Sequence, residues 1–359
     1  MGCCEATNPE LIGLSEEITL PDIDRRSTLK GLVGVAGIAG AIWVSAGPRP
    51  ANAQGTKVRL AFCGQLLCVV PYEVTRERGH FAAEGLDVEL VYTRGGSAAV
   101  QALVGGAVEY AGSSFDAALL AFSNGARIRR FASTGRLPLF ALAVAPARKD
   151  DIASVADLAG TTVGVSALGN TDHTLMLYLL REAGIDPAEV AFATLGTNLF
   201  DALRLGQVDA GMVQEPALTL IVEAGGAELV NFMEIEQAAR EFGGAYEFMG
   251  VSVREEDRES RREEMRKLAA ALRKGLEDTR VNLTPDEIVA ALPSALVAGG
   301  NLEQLKAIIA RYRTSLYPET VEIDIEAARR VIVAHEVAEV LDEGQVTVEA
   351  LVDTSILGG

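Results

Sequence analysis

The sequence predicts an α/β fold of two lobes, each a mainly parallel sheet with helices on both faces, and three observations carry that prediction. The first is an internal echo at a spacing of one hundred residues: Ala102-Leu103, Gly106, Val108, Ala117, Leu120 and Gly125 are matched by Ala202-Leu203, Gly206, Val208, Ala217, Leu220 and Gly225, with Glu109 answered by Asp209. Each copy reads as a helix end, a Gly turn, a short strand carrying an acid, a polar loop and a second apolar helix. The second is that strand and helix patterns alternate along the chain, as in parallel sheets covered on both sides. The third is length, because roughly 300 residues exceed what one hydrophobic core usually spans.

Residues 1–53 read as an export signal rather than as part of the fold. Asp24-Arg25-Arg26-Ser27-Thr28-Leu29-Lys30 resembles the twin-arginine pattern, the weakly apolar stretch Gly31 to Ala46 follows at once, and Ala51-Asn52-Ala53 fits the small-x-small cleavage rule. A membrane anchor or a buried helix is the competing reading, but Gly31, Gly34, Gly37 and Gly40 make the stretch too short and too weak for a comfortable span. The full chain of 359 residues has a net charge of −18, and loss of the leader, with its four Lys/Arg and six Asp/Glu, leaves −16. Such acidity excludes an electrostatic case for nucleic acid or anionic lipid, so any bound anion must be held by local donors. Of the four Cys, Cys3 and Cys4 fall in the leader, where nothing explains them. Cys63 and Cys68 remain, as buried or loop-lining thiols or a local disulfide; a Cys-x4-Cys pair with no nearby His is a poor metal site.

Within the exported part, Val58 to Phe62 alternates as a strand and leads into the loop Cys63 to Cys68. Pro71 is expected to open a helix ending near Gly79, and Leu86 to Val91 makes the next strand. Gly95-Gly96-Ser97 reads as a turn with Ser97 as N-cap of the helix that begins the first repeat copy. Phe140 to Val144 reads as a strand leaving the first lobe. The second lobe opens with a helical turn at Ser154 to Leu158 and the strand Thr162 to Val165. After Ser166 to Asn170 comes a helix with Leu175, Leu179 and Leu180 on its apolar face, ended near Gly184. Phe248 to Val253 returns the chain to the first lobe, and from Arg254 onward the pattern is helical and charged, a solvated face at Arg261-Arg262-Glu263-Glu264. The expected boundaries are therefore a signal peptide over 1–53, a first lobe built from 54–145 and 248–359, and a second lobe over 146–247.

Four blocks in order resemble the nitrate/sulfonate/taurine-type periplasmic solute-binding proteins of ABC importers, the NMT1/THI5-like family that shares its fold with yeast thiamine-pyrimidine synthases. Arg78 to Val88 is similar to the family's "kGyFaeeGLdVe" block, after Gly64 and Pro71-Tyr72; Gly96-Ser97 stands before Ala102-Leu103. Asp157 to Val165 is similar to "DLkGktVgv", and Gly206-Gln207-Val208-Asp209-Ala210 with Glu215-Pro216 is similar to "GqvDAa…ePa". The resemblance implies the two-lobed periplasmic-binding-protein fold (type II), a clamp whose ligand donors come from loops and helix N-termini at the carboxyl ends of the strands. On that basis Gln65, Ser97, Ser114 and Thr134 line the first lobe, and Asn170, Thr171, Asp172, Gln214 and Glu215 the second. Two carboxylates in the mouth, Asp172 and Glu215, would oppose a free anion and suit an amine or a heterocycle. His173 is expected to pack behind its loop and His80 to sit at a surface turn.

The resemblance implies a monomeric, non-catalytic receptor that closes on a small organic solute, a sulfonate, amine, pyrimidine or related molecule, and delivers it to an ABC permease and its ATPase, outside the cytoplasm. Three His, no metal spacing and no Gly-x-Ser-x-Gly elbow assemble no catalytic set, and no cofactor or metal is expected. The alternative is an enzyme on the same fold, pyrimidine synthase-like or small-acid lyase-like, with a ligand-sensing partner of a membrane receptor kinase as a third. The leader yields the first testable expectation: replacing Arg25 and Arg26 with Lys leaves uncleaved precursor in the cytosol, and normal export of that double variant would refute the twin-arginine reading.

Overall fold

The computed structural model describes residues 55–297 and 300–357, so the expected leader, with Cys3, Cys4, Arg25 and Arg26, lies outside them. The chain opens with β1 (Thr56–Cys63), α1 (Leu66–Glu77), α2 (His80–Ala83), β2 (Leu86–Thr93), α3 (Gly96–Val104), β3 (Tyr110–Ser114), α4 (Phe115–Ser123) and β4 (Ile128–Gly135). It then crosses to β5 (Ala141–Val144), β6 (Thr162–Val165), α5 (Thr171–Glu182), β7 (Ala191–Thr194), α6 (Leu199–Arg204), β8 (Ala210–Val213), α7 (Ala217–Glu223), β9 (Ala227–Asn231) and α8 (Ile235–Phe242). It returns through β10 (Met249–Arg254) and finishes in α9 (Arg262–Glu277), α10 (Pro285–Ala291), α11 (Ser294–Val297), α12 (Leu302–Leu316), α13 (Ile325–Val337) and α14 (Val348–Leu351).

The two sheets follow one strand plan. The first runs β2-β1-β3-β10-β4 and the second β7-β6-β8-β5-β9. In each, four strands share one direction and the fourth in order, β10 or β5, runs antiparallel between its neighbours. The strand expected to leave the first lobe therefore belongs to the second sheet, where β5 pairs with β8 and β9, and the second lobe begins at Ala141 rather than at residue 146.

The echo in the sequence is an echo in space. Gly106 and Gly206 hold φ of 74° and 68°, and Gly125 and Gly225 both hold 94°, backbone that a Cβ would strain. Glu109 accepts a hydrogen bond from the backbone N–H of Arg59 at 2.8 Å, and Asp209 accepts one from Thr162 at the same distance. Each acid thus stands just before its strand and fastens it to the strand beside it.

Pro71 does not open α1 but lies in its interior, with Gln65 as N-cap. A proline there leaves the carbonyl four residues back without its helical donor. That carbonyl, on Leu67, accepts instead from the buried Tyr317 hydroxyl at 2.8 Å. The chain tolerates Pro71 because a residue after α12 supplies the missing donor.

Two crossovers join the lobes and lie against each other. Phe248 N–H donates to Gly135 O at 2.9 Å, Tyr246 N–H to Arg136 O at 3.1 Å, and Phe140 meets Phe248 edge-on at 6.3 Å. Arg130, 0% exposed, donates to Ser113 O at 3.0 Å and to Phe248 O at 2.6 Å, tying β4 to the end of β3 and to the returning crossover. Helix α12 adds a third link: Asn231 Nδ2 donates to Tyr312 Oη at 2.9 Å, and the Ser315 hydroxyl to Met233 O at 2.7 Å. Glu247, buried on the same crossover 3.9 Å from Arg130, has its pKa pushed up to about 7 by burial, against the opposing pull of Arg130.

Two outcomes follow from these contacts. Tyr317→Phe removes the donor to Leu67 and leaves a buried carbonyl unpaired, which should cost about 1–3 kcal/mol in chemical denaturation, with Pro71→Ala partly restoring the loss. Glu247 carries a folded-state pKa above the ordinary 4.5, so the stability it lends is complete below 4.5 and disappears as pH rises through about 7. Glu247→Gln lacks this dependence, and its melting temperature relative to the native chain should climb between about pH 5 and pH 8; a flat difference would mean that burial does not govern this carboxyl.

Candidate functional site

The residues expected to bind a solute lie at the carboxyl ends of strands: Gln65 after β1, Ser97 after β2, Ser114 at the end of β3, Asn170 to Asp172 after β6, and Gln214 and Glu215 after β8. In the first lobe, Gln65 is exposed, and its carbonyl Oε1 accepts from the Cys63 thiol at 3.3 Å. Its side chain does not cap α1, so the first-turn N–H groups of that helix point outward without a side-chain acceptor. Ser97 is exposed in the first turn of α3, but the N-cap of that helix is Gly95, not Ser97. The start of α3 lies so near the next loop that a Cβ on Gly96 would stand 3.2 Å from Ser114 N and 3.3 Å from Ser113 Cβ. Ser114 is the N-cap of α4, its Oγ accepting from Ala117 N–H at 3.1 Å. Thr134 is fully buried, 3.2 Å from the Tyr72 hydroxyl, and so faces α1 rather than the open mouth.

In the second lobe, Asn170 is the N-cap of α5, and its side chain donates to Ser166 Oγ at 3.0 Å instead of capping. Thr171, half-buried, begins the helix. Asp172 is 1% exposed and accepts from Ser166 N–H and from the Ser166 hydroxyl at 2.9 Å. Glu215 is 7% exposed and accepts from Thr219 N–H at 3.1 Å and from the Thr219 hydroxyl at 3.0 Å. Burial raises the pKa of both carboxyls, while these hydrogen bonds pull it back. The expectation that two carboxylates confront the ligand is therefore corrected: Asp172 fastens the β6–α5 loop and Glu215 the first turn of α7. Gln214, half-buried beside Glu215, keeps its place in the loop after β8.

Ser114 and Thr171 come together across the lobes, with their hydroxyl oxygens 3.5 Å apart. The N-termini of α4 and α5 thereby converge, and a solute between the lobes would meet hydroxyls, amides and first-turn N–H groups. Arg94, exposed in the β2–α3 loop beside Gly95, adds a cation that the sequence reading passed over; nothing but its place before a Gly turn marked it. Arg130 was also missed, although its alternation with Ile128 and Ala132 along β4 puts it on a buried face of the strand.

The histidines stand away from this mouth or behind it. His173 meets Phe192 edge-on at 4.8 Å and accepts from Gly169 N–H, and burial lowers its pKa. His80 is not a free turn residue, since its Nε2 lies 2.7 Å from the Asp278 carboxylate. Among the described residues no group of His, Cys, Asp and Glu gathers to hold a metal ion. A hollow beside the start of β1, lined by Lys57, Arg59, Asp87, Glu89 and Glu109, is crossed by the Arg59–Glu109 pair at 2.7 Å and serves strand pairing.

Among curated proteins, the formylaminopyrimidine-binding protein of Halalkalibacterium halodurans is 31% identical over 137 residues, which are 38% of this chain and 41% of that protein. The chain thus matches less than half the length of this relative. Among solved structures, a protein of Bordetella bronchiseptica RB50 is similar with a TM-score of 0.74 at 24% identity, over 84% of this chain and 96% of the other. The alkanesulfonate-binding protein SsuA of Xanthomonas axonopodis pv. citri, bound to MOPS, is similar with a TM-score of 0.65 at 17% identity, over 85% and 100%. A Candida albicans protein described as having the generic periplasmic binding protein structural fold follows with a TM-score of 0.64 at 16% identity, over 83% and 96%. These likenesses show the periplasmic-binding-protein fold. The model of the family described as NMT1/THI5 like matches residues 69–287, more than half of the sequence, and the chain belongs to that family.

Proposed function

We propose that this chain is the extracytoplasmic solute-binding receptor of an ABC importer, exported by the twin-arginine route, which closes on one small organic solute and passes it unchanged to a permease. The observation that carries the reading is the approach of Ser114 and Thr171 at 3.5 Å, which brings two helix N-termini of opposite lobes together. Gln65, Ser97 and Ser114 would serve the solute from the first lobe, and Asn170, Thr171 and Gln214 from the second. Thr134, Asp172 and Glu215 would act behind them by holding β4 and the two loops in place. A clamp of this kind works by a hinge equilibrium that the solute shifts when both lobes touch it at once.

The hydroxyls and amides of this lining can meet a hydrogen-bonding heterocycle, and the formylaminopyrimidine-binding relative points to that class. The direct test is calorimetry with a formylaminopyrimidine, an alkanesulfonate and nitrate, together with product analysis after long incubation. One-to-one binding of the pyrimidine without turnover supports the receptor, whereas catalytic conversion of any of the three would make the chain an enzyme. Thr171→Ala removes one neutral hydrogen bond and should weaken binding by roughly two- to tenfold, with little change in melting temperature. Asp172→Asn disturbs a buried loop fastening and should lower both affinity and melting temperature.

A further inference from the structure

Helix α13 ends in a turn in which Glu339 N–H donates to Glu336 O at 2.9 Å and Val340 N–H to His335 O at 2.9 Å, a closure that puts Glu339 in the left-handed region with φ of 56°. Helices α3 to α7 close in the same way on a glycine, at Gly106, Gly125, Gly184, Gly206 and Gly225, and Glu339 is the one residue other than glycine with such a backbone among the described residues. A Cβ at that φ is strained, so local geometry favours glycine at this position and the glutamate needs a reason outside the turn. Its side chain gives one: Glu339 Oε2 meets Nη2 of Arg181, in the last turn of α5, at 2.5 Å. Glu339 is the only acceptor that the Arg181 guanidinium meets among the described residues, and the enclosed Arg181 Nε has none. The two residues belong to different lobes. Helix α5 follows the second-sheet strand β6, whereas α13 is held to the first lobe, with His335 Nε2 3.6 Å from the Asp116 carboxylate on α4. Thr171, which meets Ser114 of the first lobe, begins the same helix α5 roughly 15 Å along its axis from Arg181. Helix α5 is thus tied to the first lobe near both of its ends.

We propose that Arg181 and Glu339 form a salt-sensitive strap between the lobes, which holds the second lobe in the arrangement where Ser114 and Thr171 meet. Movement of the second lobe away from Ser114 carries α5 with it and parts the strap, so the pair adds to the closed side of the hinge equilibrium. Both side chains reach water, 33% and 68% exposed, so the attraction is weak and screened by salt, and it shifts the balance of lobe positions by roughly two- to fivefold. A weak strap of this kind biases the lobes without locking them. That the lobes move rests on the receptor reading, whereas the pairing of Arg181 with Glu339 and the strained backbone do not.

The test reports the closed arrangement without any solute. In the full chain, Ser114→Cys with Thr171→Cys places two thiols where hydroxyl oxygens stand 3.5 Å apart, and the rate at which oxidised glutathione joins them, followed by mass after trypsin, measures how often the two helix starts meet. Adding Glu339→Gly to this parent pair removes the carboxylate together with the strain, so the cross-linking rate should fall roughly two- to fivefold while the melting temperature holds or rises. Glu339→Gln keeps the strained backbone without the charge and should slow the cross-link likewise. Raising NaCl to about 0.5 M should slow the parent to the rate of Glu339→Gly and leave Glu339→Gly itself unchanged. Arg181→Glu combined with Glu339→Arg should recover the parent rate. Equal rates in the parent, Glu339→Gly and Glu339→Gln at every salt concentration would overturn the proposal, as would absence of the cross-link from the parent. Because no solute is present, failure of the strap leaves the receptor reading to its own calorimetric test, and failure to bind any solute leaves the cross-linking result standing.

Discussion

The guanidinium of Arg130 is the contact on which the joining of the lobes depends. It is fully buried, paired with the Glu247 carboxyl at 3.9 Å, and its N–H groups are met by the carbonyls of Ser113 and Phe248, with the face of Phe115 5.3 Å from its carbon. A buried cation without such partners would be costly, so its surroundings have to stay where they are. Those surroundings are the end of β3, which carries Ser114 into the cleft, and the crossover that starts β10. One side chain therefore sets both the floor of the first lobe and the angle at which the chain returns from the second. The Asp116 carboxylate reinforces this from the other side by accepting from the Tyr246 hydroxyl at 2.8 Å.

The acids of the second lobe show how a loop can be polar without being free to bind. Asp172 and Glu215 each take two donors from a residue four to six positions away, and each is nearly or wholly enclosed. What they leave uncovered is the outer rim of the same loops: the Asn170 and Gln214 amides and the Thr171 hydroxyl. These groups are donors and acceptors without net charge, in a chain whose overall acidity would repel free anions at long range.

Much of the architecture was legible because it is written in local rules. The hundred-residue echo survives in space since its glycines occupy positive φ and its acids, Glu109 and Asp209, bind the neighbouring strand in the same way. The helix over Thr171–Glu182 carries its apolar stripe inward as its spacing predicts, with Leu175, Leu179 and Leu180 buried. What stayed illegible depends on partners distant in sequence. Pro71 looked like a helix start because the hydroxyl that replaces its missing hydrogen bond lies 250 residues from the carbonyl it serves. The strand at Ala141–Val144 looked like the edge of the first lobe because nothing in four apolar residues tells which sheet will take them. Asp172 looked like a ligand group because an aspartate near a helix start has the same spelling whether it faces solvent or the backbone of its own loop.

The placing of β10 between β3 and β4 also orders the making of the fold. The second sheet is complete once β9 has been synthesised, because all five of its strands lie between Ala141 and Asn231. The first sheet has a gap until residues Met249–Arg254 arrive, and its β4 edge has no neighbour in that sheet before then. Pairings that span such sequence distances form slowly and leave strand edges open to wrong partners in the interval. The second sheet can therefore close on strands already made, whereas the first waits for a strand made more than one hundred residues after its own β4.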